Sequence, residues 1–348
     1  MGSSDRTWFI ISIMILITGG TGLIGSHLLY ELMKDDLPVR AIYRDKSRIN
    51  KVRKLFDFYS ERKSHHFEKI QWVEADILDL VSLEDAFVGV TQVYHCAAQV
   101  SFVRRDFKRM MKINREGTSN MLSFASACNI RKFGHISSTA AIGGLENELS
   151  TEKTKWSATD RTSGYAVSKY SSEKEVWRAK EEGLDMVILN PSVILGAGDW
   201  NESSLTIFRS VKKGLKFYTP GQNAFVDARD IATIFKKLMN SDVKNERFLC
   251  VSENVKFRDI FQRIAKRMGK KGPTLSTPKW MVGLAWRLAG IWAWLSRSTP
   301  IITKETAKSA FSTMSYSNEK VSKELDYSFI SVDDAIDNAV KFRAFDQK

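Results

Sequence analysis

Three cysteines in 348 residues, Cys96, Cys128 and Cys250, are too few, too scattered and odd in number for a disulfide framework or a zinc site. That scarcity points to a reducing compartment, so a cytoplasmic protein without a metal centre is expected. No basic low-complexity tail and no nucleic-acid motif accompanies the formal charge of +13. The excess therefore reads mainly as solvated basic surface, and nucleic acid is not an expected partner. Long apolar runs are also missing. The most apolar stretch, Pro278 to Leu295, is barely long enough to span a bilayer and carries Arg287 in its middle. Phe9 to Ile17 has one arginine upstream but no convincing small-residue cleavage site, so it is not read as a signal peptide. Hydrophobic and charged fractions are ordinary for a folded chain.

What is present begins at Met14-Ile15-Leu16-Ile17-Thr18, a strand-type run that ends in a turn carrying Gly19, Gly22 and Gly25. A helical pattern follows at once, with Ile24, Leu28 and Leu32 on one face. Strand, glycine turn and helix in that order make a phosphate cradle: the backbone can approach a pyrophosphate closely, and Leu23 and Ile24 begin a helix whose N–H groups face it. The spacing is Gly-x-x-Gly-x-x-Gly, which departs from the ordinary Gly-x-Gly-x-x-Gly. Residues 1–13 read as an extension, with Met14 an alternative start.

Further strand-type runs at Val39–Tyr43, Ile70–Ile77, Gln92–Ala98 and Phe133–Ser138 alternate with helical patterns. That alternation predicts an α/β fold: a doubly wound parallel sheet (Rossmann fold), with ligands at the carboxyl ends of the strands. The expected nucleotide-binding domain covers 14–190, with 225–250 returning to it. Residues 191–224 and 251–348 would form a smaller C-terminal substrate-binding lobe. Beyond the second strand, Arg44 with Arg48 or Lys51 suggests a 2′-phosphate and hence NADP; the competing reading takes Asp45 as a ribose ligand and gives NAD. Asp76 and Ile77 fall near the expected adenine, and Ala97 and Ala98 are small enough to let a cofactor approach the backbone.

Tyr165 and Lys169 lie four apart at the start of a helical segment and share a face. A free tyrosine, with a pKa of about 10, exchanges protons poorly near neutrality. A nearby ammonium is expected to lower that value and let the phenol exchange a proton with a carbonyl or alcohol oxygen. Ser138, at the end of a neighbouring strand, could hydrogen-bond the same oxygen, with Ser137 the fallback. His135 reads as a packing residue.

At these motifs the chain resembles the extended short-chain dehydrogenase/reductase family, in which Gly-x-x-Gly-x-x-Gly is the expected turn. The resemblance runs from about Met14 to near the C-terminus. It also includes Asn114-Arg115-Glu116-Gly117-Thr118, Leu189-Asn190-Pro191-Ser192-Val193-Ile194-Leu195-Gly196 and Phe225-Val226-Asp227-Ala228-Arg229-Asp230. It implies Tyr165 as catalytic acid/base, Lys169 as its electrostatic partner and ribose ligand, and Ser138 as the group that polarises the substrate oxygen. Pro191 and Val193 would lie beside the cofactor. For Asn114 two readings stay open, a water-holding relay residue or a shaper of its helix.

Ser138 is followed by Thr139-Ala140-Ala141 without a carboxylate, which argues against a sugar-nucleotide dehydratase. Ala140 stands where 4-epimerases often carry a hydroxyl. Arg44-Asp45 and the apolar C-terminal helix look more like the dihydroflavonol reductase and 3β-hydroxysteroid dehydrogenase branch. The resemblance thus implies an NAD(P)-dependent enzyme acting on a carbonyl or alcohol of a bulky, largely apolar small molecule. The rivals are a nucleotide-sugar 4-epimerase with tightly held NAD and a non-catalytic dinucleotide sensor or scaffold. A homodimer is expected from the family. Segment 279–297 is expected to cover the cleft or join the core, with membrane-surface contact the less favoured reading. Asp326 stands where the family usually has Gly, so the turn there is expected to be altered.

Overall fold

The computed structural model describes residues 14–61, 65–144, 146–159, 162–295 and 303–347. The 1–13 extension therefore lies outside the described residues. The first half alternates strand and helix: β1 (Met14–Thr18), α1 (Leu23–Met33), β2 (Val39–Tyr43), α2 (Ile49–Tyr59), β3 (Gln71–Glu74), α3 (Leu80–Phe87) and β4 (Val90–His95). There follow α4 (Phe107–Met111), α5 (Gly117–Ala127), β5 (Lys132–Ile136), β6 (Leu149–Ser150), α6 (Gly164–Glu181), β7 (Met186–Pro191) and β8 (Val193–Leu195). The second half contains α7 (Thr206–Lys212), β9 (Phe217–Tyr218), β10 (Gln222–Asp227), α8 (Ala228–Asn240), β11 (Glu246–Cys250), β12 (Glu253–Lys256) and α9 (Phe257–Arg267). It closes with β13 (Leu275–Ser276), α10 (Lys279–Leu295), α11 (Lys304–Ser309), β14 (Ser315–Tyr316), α12 (Glu319–Leu325) and α13 (Val332–Asp346).

Seven strands form an all-parallel sheet in the order β11-β7-β5-β4-β1-β2-β3. Strands covered on both faces must be apolar throughout rather than alternating. Accordingly Ile15, Leu16 and Ile17 in β1 and Met186 to Leu189 in β7 are fully buried. The strand order reverses between β1 and β4, and a crevice opens there at their carboxyl ends. This is the doubly wound architecture expected from the sequence.

A second, three-stranded sheet runs β12-β10-β8, with β10 parallel to β8 and antiparallel to β12. It packs with α7, α9 and α13 around Phe208, Phe225, Ile260, Ile264 and Ile336. The chain returns to the large sheet through α8, which packs on α1, and through β11 at the sheet edge. Phe225 to Asp227 themselves belong to the smaller sheet. The change of layer occurs at Asp227, whose carboxylate accepts the Arg229 N–H at 2.7 Å and caps α8.

Asp326 ends α12 in the left-handed region, with φ of +45°. A short polar side chain tolerates that conformation where most L-residues do not. The turn is thus kept without glycine. Segment 279–297 does not join the core, because no described side chain of α10 is fully buried and a stripe of it faces outward; the helix packs on α11. Arg297, in the same segment, lies outside the described residues.

Candidate active site

The crevice is built first from backbone. Gly19 has φ of +67°, and a Cβ there would sit 2.7 Å from the Ala97 nitrogen. The turn after β1 therefore lies directly on the chain leaving β4. Gly25 is more constrained still, since its Cβ would lie 2.2 Å from the Gly19 oxygen. At Gly22 the corresponding distance is 3.3 Å, which closes the space without forbidding a side chain. Gly22 caps α1 with no side-chain hydrogen bond. The first-turn N–H groups of Leu23 and Ile24 consequently point out of the helix, where the positive end of its dipole favours an anion. This cradle fits the pyrophosphate of a dinucleotide.

At the adenosine end, Asp76 accepts the Leu78 N–H at 3.0 Å, and Asn120 holds the Ile77 carbonyl at 2.9 Å. Arg44 is exposed, with its guanidinium 3.7 Å from the Asp76 carboxylate. Asp45 is committed elsewhere: its carboxylate takes the Ser47 N–H at 2.9 Å and the Ser47 hydroxyl at 2.6 Å. Arg48 and Lys51, grouped with Arg44 in the sequence, face the loop after β8. Arg48 pairs with Glu202 at 2.8 Å, and Lys51 with Asp199 at 2.8 Å and Glu202 at 2.7 Å. The structure therefore separates Arg44 from the other two cations. Ala97 and Ala98 follow β4 at the crevice, Pro191 ends β7 and Val193 begins β8.

The reactive side chains come from the loop just after β5 and from α6. Ser163 caps α6 by accepting the Ala166 N–H at 3.1 Å, which starts the helix one residue before Tyr165. The Ser138 hydroxyl lies close enough to the Tyr165 phenol to draw its pKa down. Ser138 also accepts the Ala140 N–H at 3.2 Å, which fixes its side chain. Ser137 points the other way and donates to Glu173 at 2.8 Å, so the fallback serine lies outside the constellation. Phe102 meets the Tyr165 ring edge-on at a centroid distance of 5.7 Å.

Lys169 is fully buried and donates to the Ile136 carbonyl at 2.8 Å. Burial pulls its pKa down to about 8, against the attraction of Glu173. The phenol behaves differently from the sequence expectation. Burial raises the Tyr165 pKa above its ordinary value, and the nearby Ser138 hydroxyl offsets only part of that rise. Removing a phenolate from water outweighs the nearby hydroxyl, and the Lys169 ammonium is turned onto a backbone carbonyl. The phenol therefore stays protonated at neutral pH, and it is a weaker acid than a free tyrosine.

Asn114 sits inside a π-helical turn, Lys112–Glu116, between α4 and α5. Its amide accepts the Gln99 N–H at 2.7 Å and donates to the Gln99 carbonyl and the Ser168 hydroxyl, each at 2.9 Å. With these protein partners it ties the loop after β4 to α6, which favours the shaping reading over the relay. Beneath the site, His95 and His135 stack at 5.4 Å. His95 bonds Thr18 at 2.7 Å and Thr118 at 3.0 Å, and His135 bonds Ser172 at 3.0 Å. Burial holds both imidazoles neutral, helped by the Lys169 charge. His135 is a packing residue, as expected.

Sequence reasoning missed Glu173. Its carboxylate is buried and receives Ser137, Asn190 at 2.8 Å and Arg247 at 3.0 Å. The signal was its spacing, one further turn along α6 on the face that carries Tyr165 and Lys169. Its partner Arg247, on β11, carried no sequence signal.

Crevice, cradle and side-chain cluster define a dinucleotide-dependent enzyme built on a parallel sheet. The chain belongs to the NAD dependent epimerase/dehydratase family, whose profile matches residues 15–250. It is an NAD(P)-binding enzyme of the extended short-chain dehydrogenase/reductase type. A putative dihydroflavonol 4-reductase of Synechocystis sp. is 27% identical over 341 residues, covering 96% of this chain and 95% of that protein. Cinnamoyl-CoA reductase 1 of Petunia hybrida is 27% identical over 266 residues, covering 73% and 77%. The crystal structure of gox2253 superposes with a TM-score of 0.77 at 25% identity, covering 96% of this chain and 98% of that one.

Proposed function

We propose that this enzyme is an NADP-preferring reductase that converts a ketone or aldehyde of a bulky, largely apolar compound to the alcohol, or runs the reverse. When bound, the nicotinamide supplies or accepts the hydride. Leu23 and Ile24 hold the pyrophosphate on their N–H groups, and Lys169 holds the nicotinamide ribose. Ser138 donates a hydrogen bond to the substrate oxygen, and Tyr165 delivers the proton to it. Phe102 beside Tyr165, together with Val100, leaves apolar surface at the mouth of the site. The relatives named dihydroflavonol 4-reductase and cinnamoyl-CoA reductase support the carbonyl-reducing reading. In this reading two copies associate through the helical segments that carry Asn114 and Tyr165, and the unpaired thiols suit a reducing cytoplasm.

The observation that carries the cofactor preference is the division of labour at the end of β2. Asp45, the residue that would select NAD, spends its carboxylate on Ser47, while Arg44 stands exposed over Asp76. An Arg-to-phosphate hydrogen bond is charge-assisted. Arg44→Ala should therefore raise the KM for NADPH by about ten- to a hundredfold and leave that for NADH nearly unchanged. Nicotinamide absorbance followed against apolar ketones, aldehydes and nucleotide sugars tests the whole reading. Sugar isomerisation without consumption of either cofactor would establish the epimerase instead.

Glu173 is a positioning residue in this scheme. Its charge raises the Lys169 pKa, so Glu173→Gln should lower it further below about 8. Because the ammonium is the active form, kcat/KM falls as pH rises through that pKa. The alkaline limb of the pH profile should therefore move to lower pH in the variant. A purely structural role for Glu173 would lower the whole profile without moving its limb.

A further inference from the structure

Trp280, Leu284, Leu288 and Trp292 recur every four residues along α10 and are 71%, 50%, 55% and 70% exposed. Four-residue steps on a helix turn slowly, so the stripe sweeps about 120° and runs about 18 Å. Singly exposed apolar residues are ordinary, but Trp280, Leu284 and Leu288 exposed side by side on one helix face mark an interaction surface. The chemistry around it narrows that partner. From Ile260 to Lys304 the chain carries nine Lys and Arg and not one Asp or Glu, which concentrates much of the net charge of +13 in one segment. Lys270, Lys271, Lys279 and Arg287 are all exposed. Arg287 lies over the Trp286 ring at 4.8 Å and donates to the Gly283 carbonyl at 2.7 Å. Tryptophans and leucines on one face with cations at the margin are the composition of a helix lying in a bilayer interface. Among the described residues no helix is long and apolar enough to cross a membrane.

We propose that the outward face of α10 docks this enzyme in the plane of an anionic lipid bilayer. Apolar side chains enter the headgroup boundary, and the flanking lysines and Arg287 meet the lipid phosphates. The contact also places the active site at the surface. The helix packs on α11, and Glu305 of α11 accepts the Gly164 N–H at 3.3 Å, one residue before Tyr165. Binding itself does not depend on the substrate or cofactor proposed above.

Co-sedimentation of the full chain with vesicles tests this, using phosphatidylglycerol mixed into phosphatidylcholine and phosphatidylcholine alone. The wild type should pellet with the anionic vesicles, less so as salt rises, and hardly with the neutral ones. Leu284→Glu/Leu288→Glu should weaken partitioning about tenfold or more, and Lys270→Glu/Lys271→Glu should weaken it chiefly at low salt. Unchanged circular dichroism and NADPH binding confirm that the variants fold. Three results would each overturn the proposal: no binding to anionic vesicles at low salt, equal binding to neutral vesicles, or equal binding by the leucine variant. A wild-type dimer that the leucine variant converts to monomer would also overturn it, because a second copy would then cover the stripe.

Discussion

Tyr165→Phe should lower turnover by about 10²- to 10⁴-fold while NADPH binding stays close to that of the wild type. The substitution removes one oxygen and keeps the ring that meets Phe102 edge-on. The lost atom lies beside the Ser138 hydroxyl, and in the proposed reaction it is the atom that hands over the proton. Stopped-flow oxidation of NADPH under single-turnover conditions reads the chemical step directly, and fluorescence titration reads cofactor affinity separately. Ser138→Ala should fall by a comparable factor, and the double variant should be little worse than either single one, since both groups act on one oxygen. Turnover near the wild-type rate in Tyr165→Phe would remove the phenol from the reaction. A parallel loss of NADPH affinity would mean that Tyr165 acts through binding.

The parts of this molecule that local patterning controls were legible in the chain itself. Gly19, Gly22 and Gly25 after an apolar strand forecast the cradle because the constraint is steric and local. Tyr165 and Lys169 forecast their shared face because helical spacing is fixed. What tertiary contact decides was not legible. Nothing in Ser137-Ser138 says which hydroxyl enters the site; the choice is made by Glu173, which draws Ser137 inward. The basic run after β2 looked like one phosphate-binding group, and it divides because Asp199 and Glu202, some 150 residues on, claim Lys51 and Arg48. The phenol pKa went the opposite way from the pair argument, because burial is a property of the folded site and not of a four-residue spacing. The outward stripe of α10 was hidden for the same reason: its composition suits a core as well as an interface, and only packing distinguishes them.

Gly25→Ala should be the most damaging small substitution in the cradle, costing about 3 kcal/mol or more of stability and abolishing measurable NADPH binding. The new methyl would lie 2.2 Å from the Gly19 oxygen and 2.7 Å from the Gly19 carbonyl carbon. Both are backbone atoms, so no rotamer change relieves the contact. Either α1 moves away from the turn or the turn opens, and each movement carries the N–H groups of Leu23 and Ile24 out of register with a pyrophosphate. Gly22→Ala separates the two effects. Gly22 has an extended backbone, φ of −88° and ψ of 175°, which any residue adopts, and its Cβ would be 3.3 Å from the Gly19 oxygen. That variant should unfold close to the wild-type temperature and still bind NADPH about tenfold or more weakly, because the methyl occupies space the phosphates need. Thermal denaturation with and without NADPH reads both quantities in one experiment. If Gly22→Ala gains the wild-type increment of stability from NADPH, the cradle is not where the pyrophosphate sits. If Gly25→Ala unfolds at the wild-type temperature, the close approach of α1 to the turn is not part of the native fold.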